Sequence, residues 1–354
     1  MKRLHVSKGP WILPLAAAAW LSACRIPTDA EEAGPKVLAV QRSLMGTLWE
    51  IKVVLPSQEQ EEEARKAIEA AYGELERIEA VMSEWRPDSP LSRLNAAAGE
   101  GFVEVPEELA AIIRRGVDYG ELTEGAFDIT WLALRPIWHF DETFRVPTRQ
   151  EVLAALRFVD YRQITVDGSR VALPKGFAVG LGGIAKGYAI DRAAAVLRAA
   201  GFQDFLVNGG GDIYVAGDKG GRPWVIGVRD PRGAPDRLVA RLEVQDAAVV
   251  TSGDYERFLI VDGARYHHII DPRTGWPAQA CRSVTILAPE AERADVLATA
   301  VFVLGPGSGL ELIQKLPGTE AFIIDREGKW FSTAGFRALA EFADGGDGTL
   351  RKEE

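Results

Sequence analysis

Cysteine is scarce in this chain, and so are histidine, basic stripes and long apolar runs. Cys24 and Cys281 are the only two cysteines among 354 residues. With Cys24 assigned to an export signal below, Cys281 stands alone, so neither an intrachain disulfide nor a thiolate metal cluster is expected. Cys281 opens an apolar strand pattern, Ser283 to Leu287, and is expected to be buried rather than catalytic. Of the four histidines, only His267 and His268 are neighbours. Strand alternation sends them to opposite faces, which disfavours a zinc pair. Lysine and arginine total 41 against 51 acidic residues, a formal charge of -10 with no basic stripe. That excludes nucleic acid as a partner. An anionic ligand must then be held by local backbone amides, a lysine or a metal. The P-loop spacing and the dinucleotide glycine fingerprint are both absent. The longest apolar stretch, around Trp11 to Trp20, runs about 14 residues, where a membrane-spanning helix needs roughly 20.

That stretch has another reading. Lys2, Arg3 and Lys8 precede it, and Leu21-Ser22-Ala23-Cys24 follows it. A cationic head, an apolar core and small residues at a cut site make a secretory signal over residues 1–23. A cysteine directly behind the cut looks like a bacterial lipobox, with Cys24 lipidated. Residues 24–37, rich in proline, glycine and acid, read as the lipidated cysteine and its tether, and several acyl chains hold a protein firmly on a bilayer. The expected location is the bacterial cell membrane, lipid-anchored on its periplasmic or extracytoplasmic side. Removing the signal leaves 331 of 354 residues, close to the limit of one core. The domain is expected over 38–342, with a frayed, charged tail at 343–354.

Apolar spacing predicts a helix from Gln58 to Met82, with Ala64, Ile68, Ala71, Leu75, Ile78 and Met82 on one face. Helices are also expected from Pro106 to Tyr119, Arg149 to Val159, Ile184 to Ala200, Ala291 to Leu304 and Ser308 to Lys315. Trp85 to Leu94 reads as a loop. Strands are expected at Leu48–Leu55, Phe205–Val207, Ile213–Ala216 and in a run from Trp224 to Leu287, among them His267–Ile270, with a hairpin over Glu320–Ser332. Many strands with few crossover helices indicate an α+β fold, one large domain with a β-sheet-rich core and flanking helices.

Five constellations carry chemistry. Leu181-Gly182-Gly183-Ile184-Ala185-Lys186-Gly187 brings two glycines and a lysine to a helix start, where free amides favour phosphate oxygens; a tight packing turn is the alternative. Asn208-Gly209-Gly210-Gly211-Asp212 follows a strand and requires unusual dihedrals, close backbone approach or a sharp turn. Asp295 and Thr299 share one helix face among apolar and small residues. A buried carboxylate needs a partner or a cation, and carboxylate plus hydroxyl suits magnesium, unless the two bond each other. His268 in Tyr266 to Gly275 is a functional group or a structural hydrogen-bonder. Trp85, in a loop, is a candidate for stacking on a planar ligand or for plain packing.

Taken together and in order, Met45-Gly46-Thr47, Met82-Ser83 to Asn95, Gly125 to Thr130, Gly182 to Gly187, Asn208 to Asp212, Thr251-Ser252-Gly253, His268 to Gly275 and Asp295 to Thr299 resemble the ApbE family of flavin transferases. The resemblance runs from about Ser43 to Trp330. It implies the family's α+β fold and cleavage of FAD as substrate. FMN is attached by a phosphoester to a threonine or serine of a target protein, with AMP released and Mg2+ required. It implies Asp295, Thr299 and a backbone oxygen of Gly183 as metal ligands. It implies Met45, Trp85, Ala126, Phe127, Asp128, Lys186, His268 and Ile269 around FAD. The catalytic set would be Asp295 through the metal, with His268 or Asp271 as base. Implied partners are exported proteins with an acceptor threonine, such as Nqr- or Rnf-type redox-pump subunits. An FAD pyrophosphatase and a non-catalytic flavin-binding lipoprotein are the alternatives. Two departures stand out. Phe127-Asp128-Ile129-Thr130 lacks the usual proline, and Gly180-Leu181-Gly182-Gly183 carries glycine where the family pattern has aspartate.

Overall fold

Eight strands lie side by side in the order in which the chain makes them: Val37–Leu44, Thr47–Val54, Phe205–Gly209, Asp212–Ala216, Ala247–Gly253, Cys281–Ala288, Glu320–Asp325 and Trp330–Ser332. Every neighbouring pair is antiparallel. The sheet is therefore one meander, and the other elements are inserted between its strands, save a helix and a strand that follow the last of them. The computed structural model describes residues 35–140, 143–234 and 236–343. The export signal, Cys24 and nearly all of the expected tether and tail lie outside the described residues.

Both faces of the sheet are covered. In Thr47–Val54 the alternate residues Trp49, Ile51 and Val53 are fully buried against helices. The helix Glu61–Met82 supplies its expected face, with Ala64, Ile68, Ala71, Leu75, Ile78 and Met82 all buried. Each fully buried leucine or isoleucine contributes about 1.5–3 kcal/mol. Ala185–Ala199 and Ala291–Leu304 complete this layer. A smaller sheet, Trp224–Arg229, Leu238–Val244 and Ala340–Phe342, packs on the other face around Val215, Val249, Phe322 and Trp330. Because it is covered twice, Cys281–Ala288 is buried at seven of eight positions, the continuous pattern of a strand with no solvent face. Cys281 is buried and free, and burial pushes its thiol up to about 12.

The α+β architecture agrees with the sequence reading, and its differences are local. Val37–Leu44 is a strand, paired along its whole length with Thr47–Val54, so the expected tether ends before residue 37. Pro90–Ala96 is a helix, where a loop is expected: Ser89 accepts from the Ser92 amide and Pro90 takes the first helical position, where its missing N–H costs nothing. The expected strand His267–Ile270 is broken into Ala264–His267 and Ile270–Asp271. A helix and strand over Ala334–Phe342 close the chain.

Candidate active site

Two helices and one strand end bring the candidate site's side chains together. Ala185–Ala199 and Ala291–Leu304 cross so closely that a Cβ on Gly187 would lie 2.3 Å from the Ala291 carbonyl oxygen. Only glycine permits that approach. It brings the Gly187 amide to Asp295, whose Oδ2 accepts from it at 3.0 Å. Asp295 is 5% exposed. Burial holds the Asp295 carboxyl well above the usual range, and the nearby Asp212 carboxylate adds to the effect.

Asp212 comes from the far side of the site. The glycine run before it is a hairpin turn, with Gly210 and Gly211 at φ +67° and +102°. Gly209 is pressed on the Trp49 ring and Gly210 on Thr47, so the sharp-turn reading accounts for these glycines. The turn delivers Asp212 to an ion pair with Lys186. Burial alone would depress the Lys186 ammonium, but Asp212 and Asp295 outweigh it and hold its pKa above the ordinary value. The Lys186 side chain is still 31% exposed.

Thr299, one turn beyond Asp295, does not bond to it. Its hydroxyl lies 3.5 Å from Ser252 Oγ and 3.5 Å from where a Gly183 Cβ would stand. Phe127 closes the other side of Gly183, its Cε2 3.1 Å from the same point. Asp295, Thr299, Ser252 and the Gly183 backbone are thus oxygen donors around the start of Ala185–Ala199. Among the described residues no three His, Cys, Asp or Glu side chains form a metal-binding group. Hydroxyl and backbone oxygens completed by a ligand's phosphates suit magnesium, which is bound through one or two carboxylates and keeps several waters. The donor set therefore fits that ion.

His267 and His268 part as alternation requires. His267 is buried, with Nε2 2.7 Å from the Ala278 carbonyl oxygen. His268 is exposed on the opposite face, within electrostatic reach of Lys186 and Arg257. The surrounding walls still withdraw enough water to hold it down to about 4, and His267, Arg257 and Lys186 act in the same direction. Ile269 is buried behind it.

Two expected carboxylates are occupied elsewhere. Asp271 is locked by Arg273, with Oδ1 accepting from its backbone N and Nε and Oδ2 from Nη2, all at 2.9 Å. Asp128 caps the turn after it, accepting from the Thr130 amide and hydroxyl and the Tyr161 amide. That local capping leaves Phe127, not the Asp128 carboxylate, to face Gly183. Met45 and Gly46 form the turn between the first two strands, both with positive φ (50° and 73°), the signature of a two-residue hairpin. The Met45 amide donates to Glu79, beside a recess of about 380 Å³ lined by Ser43 to Thr47 and Glu79. Trp85 is 66% exposed and carries the Arg135 guanidinium 3.6 Å above its ring. Asp212, Arg257 and Glu84 were not singled out by sequence. Arg257 is exposed, accepts from the His268 amide through its carbonyl, and reaches within 4.0 Å of a Gly46 Cβ position.

The ApbE family model matches residues 45–323. The FAD:protein FMN transferase of Treponema pallidum is 37% identical over 312 residues, covering 82% of this chain and 85% of that protein. The ApbE protein of Thermotoga maritima superposes with a TM-score of 0.79 at 36% identity, over 86% of this chain and 99% of that one. The flavin transferase ApbE of Vibrio cholerae gives 0.76 at 30% identity, over 86% and 99%. Sequence and fold thus match over the span that holds Met45, Lys186, Asp212, His268, Asp295 and Thr299, and the chain belongs to the ApbE family.

Proposed function

We propose that this chain is a Mg2+-dependent FAD:protein FMN transferase that links FMN through a phosphoester to a threonine or serine of exported target proteins and releases AMP. The observation that carries the reading is the cluster of Asp295, Thr299, Ser252 and Lys186 at a glycine-led helix start, opening toward His268. Asp295, Thr299 and the Gly183 carbonyl would hold the magnesium, which supplies charge neutralisation on the pyrophosphate. The Gly182 and Gly183 amides and Lys186 bind phosphate oxygens, and Trp85, Met45, Ala126, Phe127 and Ile269 shape the space for the rings.

The target hydroxyl oxygen bonds to the FMN phosphorus while the bond from that phosphorus to the AMP phosphate breaks. AMP leaves with the electron pair. The hydroxyl proton goes to a ring nitrogen of His268, neutral at pH 7 because its pKa is held to about 4. Asp271 does not serve as the base in this reading, since Arg273 occupies both its oxygens.

Incubation with FAD, Mg2+ and a threonine-bearing target peptide should give peptide carrying FMN by mass spectrometry. Free FMN as the main product would make water the acceptor and the chain a pyrophosphatase. No AMP, with or without Mg2+, would leave a flavin-binding protein and end the catalytic reading. Residues 1–23 as signal, Cys24 as lipid anchor and redox-pump subunits of the Nqr or Rnf type as targets belong to the same proposal. No helix among the described residues is long and apolar enough to cross a membrane. Cys24→Ala should move the protein from the membrane to the soluble fraction; unchanged fractionation would remove the anchor.

A further inference from the structure

Gly180 stands where the resemblance implies an aspartate, and its neighbours explain how the chain does without one. The Gly180 φ lies outside the left-handed region, so its conformation does not demand glycine. Space does. A Cβ on Gly180 would lie 3.0 Å from Glu84 Oε2, 2.9 Å from Trp131 Nε1 and 3.1 Å from Leu132 Cβ. The Glu84 carboxylate thus lies over position 180, reaching it from the loop after the helix Glu61–Met82. There it faces the Leu181 backbone amide, with the Arg135 and Arg257 guanidiniums within electrostatic reach. Leu181 is the pivot of the site loop: its carbonyl accepts from Ile184 at 3.0 Å and Ala185 at 2.8 Å, which turns Gly182-Gly183 into the helix start. Arg135, on the other side, is the cation stacked on Trp85.

We propose that Glu84 is a positioning residue that supplies, from a different segment, the carboxylate absent at position 180, fixing the Gly180–Gly183 turn against Phe127 and Thr299 and anchoring the Arg135–Trp85 stack at the cleft rim. It follows that carboxylates at 84 and 180 exclude each other. With both, two like charges meet in one partly buried space. With neither, the Leu181 amide loses the carboxylate it faces, and the two arginines lose a nearby opposite charge. The proposal deepens the transferase reading and rests on it for its kinetic consequence, but its structural consequence is measurable without ligand.

The test is a cycle of wild type, Glu84→Ala, Gly180→Asp and Glu84→Ala/Gly180→Asp, with Glu84→Gln as a variant of unchanged size. In ligand-free protein, amide exchange over residues 180–185 should quicken about tenfold in Glu84→Ala, the worth of one hydrogen bond to a charged group. Gly180→Asp alone should also quicken it, and the double variant should return toward wild type. Glu84→Gln should fall between. The KM for FAD should follow the same order, about tenfold in Glu84→Ala, with kcat changing less. Wild-type exchange in both Glu84→Ala and Glu84→Gln, or a double variant worse than either single one, would overturn the proposal. If Glu84→Ala does not fold, Glu84→Gln carries the exchange comparison. An intact exchange cycle in a protein that never cleaves FAD would leave the positioning role standing and sink the transferase reading instead.

Discussion

Lys186 decides the electrostatics of the site floor. Asp212 and Asp295 are both buried, and like charges at short range in low dielectric repel strongly. Lys186 pairs directly with Asp212 and acts on Asp295 through space. Lys186→Met should therefore leave two uncompensated carboxylates and cost about 3–5 kcal/mol of stability, read as a fall in Tm. Added Mg2+ should restore more of that loss in the variant than it adds to wild type, because a second cation then has two carboxylates to neutralise. A Tm equal to wild type would remove Lys186 from this role. At His268 the expectation is kinetic. His268→Gln should lower kcat by about 10²–10⁴, the range for a lost general base, with FAD affinity within a few-fold of wild type. Equal losses in affinity and kcat would make the ring a binding group. The shared helix of Asp295 and Thr299 was legible in sequence, and four-residue spacing on it fixes a common face. Asp128 and Asp271 have local bonds that the sequence reading did not give them, because an aspartate two residues before its donor is also a turn cap. Glu84 and Arg257 were invisible because nothing local marks them; their meaning arises only where distant loops meet.

The two helices at the site are tied by more than their crossing at Gly187. Asp191, on Ala185–Ala199, accepts from the Ala291 and Glu292 amides at 2.8 and 2.9 Å, capping the neighbouring helix where its own sequence supplies no side-chain cap. Burial pushes Asp191 up to about 6, against the two hydrogen bonds, and Glu292 adds to it. An acid raised in the folded state holds its proton there while the unfolded chain has released it. Its stabilising term is full below the unfolded value of 3.8 and is lost as pH rises through about 6. A shift of that size corresponds to about 3 kcal/mol across the window. Asp191→Asn should flatten the pH dependence of Tm between pH 4 and 7 relative to wild type; parallel curves would show that Asp191 does not titrate there. Element identity was well read where periodicity is strong, as in Glu61–Met82. It failed at Pro90–Ala96, where two prolines in one stretch suggested a loop although proline is at home in a helix's first turn. It failed at Val37–Leu44 because an edge strand half open to water, with Gln41 and Arg42 paired to Glu50 and Glu69, lacks a strong apolar signal.

At the scale of the molecule, a single antiparallel meander carries its function in its insertions: Phe127, Gly183 and Lys186 in the one between the second and third strands, His268 in the one between Ala247–Gly253 and Cys281–Ala288, and Asp295 and Thr299 in the next. The core is a platform and the inserted segments converge on it, so the fold was readable as α+β from strand and helix counts while the convergence was not. The same distribution sets how an anionic substrate approaches. The chain carries a formal -10. In the cleft, Lys186 faces Asp212 and Asp295, and Arg135 and Arg257 act on Glu84. Local cations and anions nearly cancel there, so beyond a few ångströms the acidic total dominates and repels the pyrophosphate of FAD. Salt screens that repulsion, with a Debye length of about 30 Å at 0.01 M falling to about 8 Å at 0.15 M. The association rate for FAD, followed by quenching of tryptophan fluorescence at fixed free Mg2+, should therefore rise about two- to fivefold over that range of ionic strength, the reverse of a positively steered cleft. A rate that falls with salt would mean that Arg135 and Arg257 govern capture despite Glu84. In that case Arg257→Gln should abolish the salt dependence while leaving the fold intact.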